Sequence, residues 1–92
     1  MYVEKGQSYT LSFDYALSDN SKGILVDIYQ GSTYVDHAFR DERTTATAIS
    51  KKRCDVTWVS TVTGNIYFTF YNQGSIDTTK ESILYIYSIK FE

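Results

Sequence analysis

His37 is the only histidine of this chain, and histidine is the side chain most often used for acid–base catalysis near neutral pH. A catalytic histidine needs a nucleophile or a carboxylate beside it. Asp36 is its neighbour in sequence, but adjacent residues of a strand point to opposite faces of a sheet. The pattern therefore predicts no catalytic site at His37.

Two further groups carry oxygen atoms at close spacing. Asp41 and Glu42 lie between Arg40 and Arg43, which is typical of solvated surface ion pairs. Neighbouring acids are also badly placed to flank a glycosidic bond. Residues 19–21, Asp-Asn-Ser, offer ligands that calcium prefers, but ordinary turn chemistry accounts for the same sequence. We predict no enzyme activity and no cofactor, with a structural calcium ion at residues 19–21 as the alternative.

Nine tyrosines and no prolines distinguish the composition of these 92 residues. Tyrosine, threonine, valine, isoleucine and phenylalanine dominate, and all of them favour strands. A charged fraction of 22% and an aromatic fraction of 16% argue against a disordered chain. The net charge is −2 and no basic stripe is present, so duplex nucleic acid is not an expected partner.

No apolar run approaches the roughly 20 residues that a membrane helix needs, so no membrane partner is expected. The first six residues, Met-Tyr-Val-Glu-Lys-Gly, do not form a signal peptide. A place outside the cell would then depend on a larger particle or a longer polypeptide. The single cysteine, Cys54, excludes an internal disulfide.

Alternation with a period of two runs through most of the chain and predicts strands. It is clearest over residues 9–17, where every odd residue is apolar or aromatic. Further strands are predicted over residues 24–29, 33–39, 54–62, 66–72 and 83–91, the last with a bulge near Tyr87 and Ser88. Residues 44–50 are predicted as a strand, with a short helix as the alternative. Trp58 and Cys54 share the phase of the core side chains and are predicted to be buried.

Six or seven short strands separated by turns predict one all-β domain over residues 1–92, an antiparallel β-sandwich. Three stretches resemble jelly-roll carbohydrate-binding modules of the family 4 and family 9 type, which also occur in tail and baseplate proteins of bacteriophages. Residues 6–16, G-Q-S-Y-T-L-S-F-D-Y-A, are similar to the G-x-x-Y-T-L-S-F strand of that family. Residues 63–74, T-G-N-I-Y-F-T-F-Y-N-Q-G, look like a second family strand, and residues 83–92 resemble the closing strand.

The resemblance implies that the strands at 9–17, 33–39 and 66–72 share one sheet, as they do in a jelly roll. Their outward side chains would then be Thr10, Ser12, Asp14, Tyr34, Asp36, Tyr67, Thr69, Tyr71 and Gln73. Such a face mixes aromatic rings, which cover the apolar side of a sugar, with groups that bond its hydroxyls. We expect Tyr67 and Tyr71 to form the platform, with Asp14 and Gln73 as polar contacts and Tyr34 and Ser12 beside them. The alternative is that these tyrosines are ordinary strand residues that pair across strands.

The chain departs from the family pattern in two places. Only residues 1–4 precede the first family strand, which predicts an N-terminally trimmed jelly roll with an unpaired edge. Tyr87 and Ser88 stand where the closing strand usually has aspartates, one of which often holds calcium, so the family's calcium site is in doubt.

These observations predict a non-catalytic module that binds a polysaccharide or a cell-surface glycan, at an extracellular or virion-associated location. The alternative is an assembly domain of a phage tail or another multi-subunit particle, with the tyrosines as a protein–protein interface. A homo-oligomer or a parent multi-domain protein is compatible with both.

Overall fold

The computed structural model describes residues 1–45 and 47–92, and within these ranges all regular structure is β-strand. The strands are β1 (Tyr2–Val3), β2 (Ser8–Leu17), β3 (Gly23–Gln30), β4 (Thr33–Glu42), β5 (Ile49–Val59), β6 (Gly64–Asn65), β7 (Tyr67–Asn72) and β8 (Leu84–Phe91). Every strand pair is antiparallel. The predicted all-β antiparallel sandwich is confirmed.

Two three-stranded sheets form the layers of the sandwich, in the orders β5-β2-β8 and β4-β3-β7. A short β1-β6 ladder closes one end. Contacts between β4 and β5 lie at one side of the sandwich. At the other side β7 meets β8, where the rings of Phe68 and Phe91 are 5.1 Å apart.

The core lies between the two sheets, and the alternation in the sequence accounts for it. The odd residues of β2 and the even residues of β3 point inward: Leu11, Phe13, Tyr15, Leu17, Ile24, Val26 and Ile28 are all buried. Trp58 and Cys54 are buried with them, as predicted. Burial raises the pKa of the Cys54 thiol, which is typical of an unreactive core cysteine.

One buried polar contact joins the two layers. The Tyr15 hydroxyl on β2 donates a hydrogen bond of 2.7 Å to the Asp41 carboxylate on β4. Burial and this carboxylate together raise the pKa of the Tyr15 phenol. Asp41 therefore has a structural partner inside the sandwich and is not a free surface acid.

The predicted sheet of residues 9–17, 33–39 and 66–72 is wrong. β2 pairs with β5 and β8, whereas β4 and β7 both pair with β3. The reason is the connection between β3 and β4, which consists of Gly31 and Ser32 alone. Gly31 has a φ of 60°, which suits a tight hairpin, and a two-residue loop can join only neighbouring strands.

Residues 44–50 differ from the prediction as well. Thr44, Thr45, Thr47 and Ala48 lie in a loop, Ala46 lies outside the described residues, and β5 begins at Ile49. The charged residues 51–53, assigned to a turn-like boundary by their polarity, continue the strand because β5 pairs along almost the whole of β2. The bulge predicted in the closing strand is confirmed, since the register shifts opposite Ser12 and Asp14 and Ser88 has a φ of 53°.

Candidate functional site

Four tyrosines, Tyr29, Tyr34, Tyr67 and Tyr71, lie together on the outer face of the β4-β3-β7 sheet, and we call this surface the tyrosine face. Tyr29 occupies the central strand and is opposite Tyr34 on β4 and Tyr67 on β7. Tyr34, Tyr67 and Tyr71 keep 46%, 47% and 39% of their surface exposed. A cluster of exposed rings on a sheet face is unusual enough to mark a contact surface.

The rings of the tyrosine face hold one another in place. Tyr29 lies parallel to Tyr67 within 17°, with the ring centroids 5.7 Å apart. Tyr34 meets Tyr29 edge-on at 5.9 Å, and His37 meets Tyr34 at 5.3 Å. These are the arrangements that aromatic pairs favour. The platform is therefore continuous across all three strands and fixed before any ligand arrives.

The hydroxyl groups are ordered too. The Tyr67 hydroxyl donates a hydrogen bond of 2.8 Å to the carbonyl of Gly31. A hydrogen bond with Tyr71, assisted by partial burial, raises the pKa of Tyr29 to about 12. Desolvation and the nearby carboxylates of Asp27 and Asp36 raise the pKa of Tyr34. All these phenols are therefore neutral at physiological pH, where each hydroxyl can both donate and accept hydrogen bonds.

An ordered carboxylate–imidazole pair lies beside the rings. His37 Nδ1 is 2.5 Å from Asp27 Oδ1, and the two side chains are 53% and 9% exposed. Two bulges in the β3-β4 ladder create this pair by skipping Ala38 and Val35, so that His37 lies opposite Asp27 and Tyr34 opposite Tyr29. Charge and hydrogen-bonding capacity thus border the tyrosine face on the β4 side.

The same bulges move Asp36 away from the face. Its carboxylate accepts a hydrogen bond of 3.3 Å from the indole of Trp58, which is in the core. The expected outward position of Asp36 is therefore wrong, and the expected separation of Asp36 from His37 is right. Sequence reasoning missed Asp27 as the partner of His37. The outward phase of Asp27 on β3 was visible, but the bulges that bring His37 opposite it were not.

Of the six predicted ligand residues, the structure brings Tyr34, Tyr67 and Tyr71 together. Gln73 follows β7, and its side-chain amide donates to the backbone carbonyls of Ile24 and Asp41 at 3.0 and 3.4 Å. Its amide group is therefore engaged in holding the ends of the strands.

Asp14 and Ser12 do not belong to this surface, which corrects the single face predicted from the sequence. Both lie on β2, on the outer side of the opposite sheet. Asp14 is 3.9 Å from Lys51 and 3.7 Å from Arg53, and Ser12 is buried opposite Asp55. A sandwich layer separates them from Tyr67 and Tyr71, so one ligand cannot contact all six on a single sheet face.

The opposite sheet has a smaller aromatic group of its own. Tyr85 and Tyr87 on β8 are parallel within 11°, with centroids 6.3 Å apart, and are 46% and 39% exposed. The Lys51 ammonium reaches across β2 and lies 5.0 Å from the centre of the Tyr87 ring. This distance is within the range of a cation–π contact.

Residues 19–21, the alternative calcium site, have other partners. The Asn20 amide nitrogen donates to the backbone carbonyls of Asp77, Lys80 and Glu81 at 3.0–3.1 Å. Its oxygen accepts from the backbone N–H of Asp77 at 2.8 Å. Asn20 thus organises the loop between β7 and β8 with all of its polar atoms.

Within residues 1–45 and 47–92 there is no enclosed pocket and no cluster of three or more His, Cys, Asp or Glu side chains that could hold a metal ion. No helix able to cross a membrane occurs in the same residues. Comparison with family models, curated proteins and solved structures finds no match for this chain. The resemblance to carbohydrate-binding modules therefore stays a prediction.

Proposed function

We propose that this domain binds a carbohydrate chain, without catalysing a reaction, on the tyrosine face of the β4-β3-β7 sheet. The observation that carries the proposal is the cluster of Tyr34, Tyr67 and Tyr71 around Tyr29, exposed beside the Asp27–His37 pair. Aromatic rings can cover the apolar C–H surface of a sugar, and the hydroxyl, carboxylate and imidazole groups can bond its hydroxyls.

Preorganisation supports this proposal. The rings contact one another, and the hydroxyls of Tyr67 and Tyr29 have partners on the protein. Binding would therefore order few side chains, which lowers the entropic cost of association. An extended glycan is a better match than a small molecule, because the tyrosine face spans three strands and is open to solvent.

A polysaccharide or a cell-wall glycan is the proposed ligand, and an extracellular or virion-associated location the proposed setting. Single sites of this kind bind weakly and gain strength when several copies are displayed together. A phage tail or a multi-domain enzyme would provide such a display.

A glycan-array screen followed by calorimetric titration tests the proposal. We expect Tyr67→Ala and Tyr71→Ala each to weaken binding by about tenfold or more, the equivalent of 1.4 kcal/mol. Tyr2→Ala is the matched control, because Tyr2 is also an exposed strand tyrosine, at 60%, but lies on β1. No binding to any glycan at about 1 mM, or equal loss in all three variants, would contradict the proposal.

The alternative function is assembly, with the tyrosine face as a protein–protein interface. Tyrosine is enriched at interfaces as well, so the exposure of Tyr34 and Tyr67 fits this reading too. The two functions differ in what covers the face. A stable oligomer in which Tyr67 and Tyr71 become buried supports assembly, and an oligomer that leaves them open supports glycan binding.

A further inference from the structure

Strand β8 is an edge strand with no charged side chain from Leu84 to Ile89. Edge strands usually carry charges, which discourage pairing with other chains. The edge strands on the far side of the sandwich follow this rule: β5 carries Lys51, Lys52 and Arg53 in succession, and β4 has a charged or titratable residue at five of its ten positions. The side of the sandwich formed by β8 lacks this protection.

The hydrogen-bond pattern shows which backbone groups of β8 are free. Ser18 donates its backbone N–H to the carbonyl of Ile83, and residues that face β2 alternate along an antiparallel ladder. The backbone groups of Tyr85 and Tyr87 therefore point towards β2. Those of Leu84 and Ile86 point away from it, towards the open edge, where the described residues provide no strand to receive them.

The side chains at this edge are apolar on both faces. Ile83, Tyr85 and Tyr87 are 44%, 46% and 39% exposed on the outer face. Leu84 and Ile86 point inward and pack against the core, but they are only half-buried because no strand lies beyond them. A further strand at this edge would cover both groups at once.

We propose that the occupant of this edge is a second copy of the same strand, paired antiparallel about a two-fold axis at Tyr85. In this register Leu84 lies opposite the partner's Ile86, and Ile86 opposite the partner's Leu84. These are the residues with free N–H and C=O groups, so two reciprocal pairs with four hydrogen bonds form. The two sheets join as one six-stranded sheet, β5-β2-β8 followed by the partner's β8-β2-β5.

Self-complementarity is the reason for choosing a second copy. A two-fold axis requires each residue to fit its own symmetry mate, and this register brings no charged residue of β8 opposite a like charge. On the outer face Tyr85 meets the partner's Tyr85, with Tyr87 opposite the partner's Ile83 on either side. Pairing ends at Ser88, whose φ of 53° bends the strand at the bulge.

The dimer is independent of the proposed function, because β8 belongs to the sheet opposite the tyrosine face. It would leave Tyr34, Tyr67 and Tyr71 open and place two such faces on one particle. Two linked sites bind a repeating ligand more tightly than one.

Sedimentation velocity of the wild-type protein is the first test, with a dimer expected as concentration rises to about 1 mM. Tyr85→Lys would place two like charges opposite each other at the axis and return the protein to a monomer. Tyr34→Lys is the matched control, because Tyr34 has the same 46% exposure but lies on β4, and it should remain dimeric. A wild-type monomer at every concentration, or equal dissociation by both variants, would overturn the proposal.

Cysteine cross-linking tests the register itself. Residues opposite each other without hydrogen bonds between them have Cα atoms about 4.5 Å apart, which is within disulfide range. Tyr85→Cys should therefore form a disulfide-linked dimer on mild oxidation. Tyr87→Cys should not, because Ile83 is its partner, nor should wild type, whose Cys54 is buried. Cross-linking of Thr69→Cys on β7 in place of Tyr85→Cys would show that the other edge pairs, and the proposal would be wrong.

Discussion

The Asp27–His37 pair offers the sharpest quantitative test of the tyrosine face, through a double-mutant cycle of Asp27→Asn and His37→Ala. The two side chains are 2.5 Å apart and differ in burial, with Asp27 9% and His37 53% exposed. A hydrogen bond to a charged group contributes about 1.5–3 kcal/mol when it is shielded from water. Since half of the imidazole is in solvent, we expect a coupling energy of about 1–1.5 kcal/mol.

The single variants should be unequal. His37→Ala leaves a nearly buried carboxylate without its partner, which costs about 1–3 kcal/mol. Asp27→Asn keeps a polar group of the same shape beside the imidazole and should cost less. Urea unfolding followed by fluorescence of Trp58, the sole tryptophan and a core residue, measures all four proteins.

Arg40 and Glu42 provide the control pair on the same strand. Their charged groups are 3.1 Å apart, but the side chains are 56% and 54% exposed. Exposed pairs of this kind contribute about 0.2–1 kcal/mol, and salt at about 1 M removes most of that. The Asp27–His37 coupling should survive the same salt. Equal coupling energies for the two pairs, or equal salt sensitivity, would refute the reasoning that burial of Asp27 sets the strength.

Three further predictions concern other contacts. Asn20→Asp removes the two N–H donors that face three backbone carbonyls of the loop before β8, so we expect a loss of about 3 kcal/mol in urea unfolding. Stabilisation of this variant by calcium chloride would instead favour the metal reading of residues 19–21. Because burial and Asp41 raise the pKa of Tyr15 in the folded state, its contribution to stability is complete below the unfolded value of about 10 and is lost as the pH rises beyond it. Unfolding free energy above pH 10 should therefore fall more steeply for wild type than for Tyr15→Phe, and parallel curves would contradict this. Tyr71→Phe should lower the pKa of Tyr29 from about 12 towards 10 in a phenolate absorbance titration, and an unchanged curve would exclude their hydrogen bond.

Alternation in the sequence was sufficient to predict which side chains enter the core. A strand has a period of two, so Leu11 and Phe13 on β2, or Ile24 and Val26 on β3, must share a face wherever the strand lies. The same rule predicted that Tyr67 and Tyr71 would lie outward together. It also predicted the burial of Trp58, because that residue shares the phase of Cys54.

Sheet membership was predicted wrongly from the family resemblance, although a local signal was present. The two-residue connection at Gly31 and Ser32 requires β3 and β4 to be neighbours, which excludes the assumed sheet. With that hairpin taken into account, Tyr29 would have joined Tyr34, and Asp14 would have been separated from the tyrosine face.

Two features depended on tertiary structure alone. The bulges that bring His37 opposite Asp27 arise from how β4 fits against β3 and the core, and a one-residue shift reverses every side chain beyond it. The free edge of β8 likewise follows from which strands pair, since a strand's own residues do not specify whether a neighbour lies on both sides. The sequence by itself therefore determined the strands, their buried faces and the outward tyrosines, because these follow from local periodicity. Only the tertiary structure decided which outward residues meet, because that depends on pairing and register between distant segments.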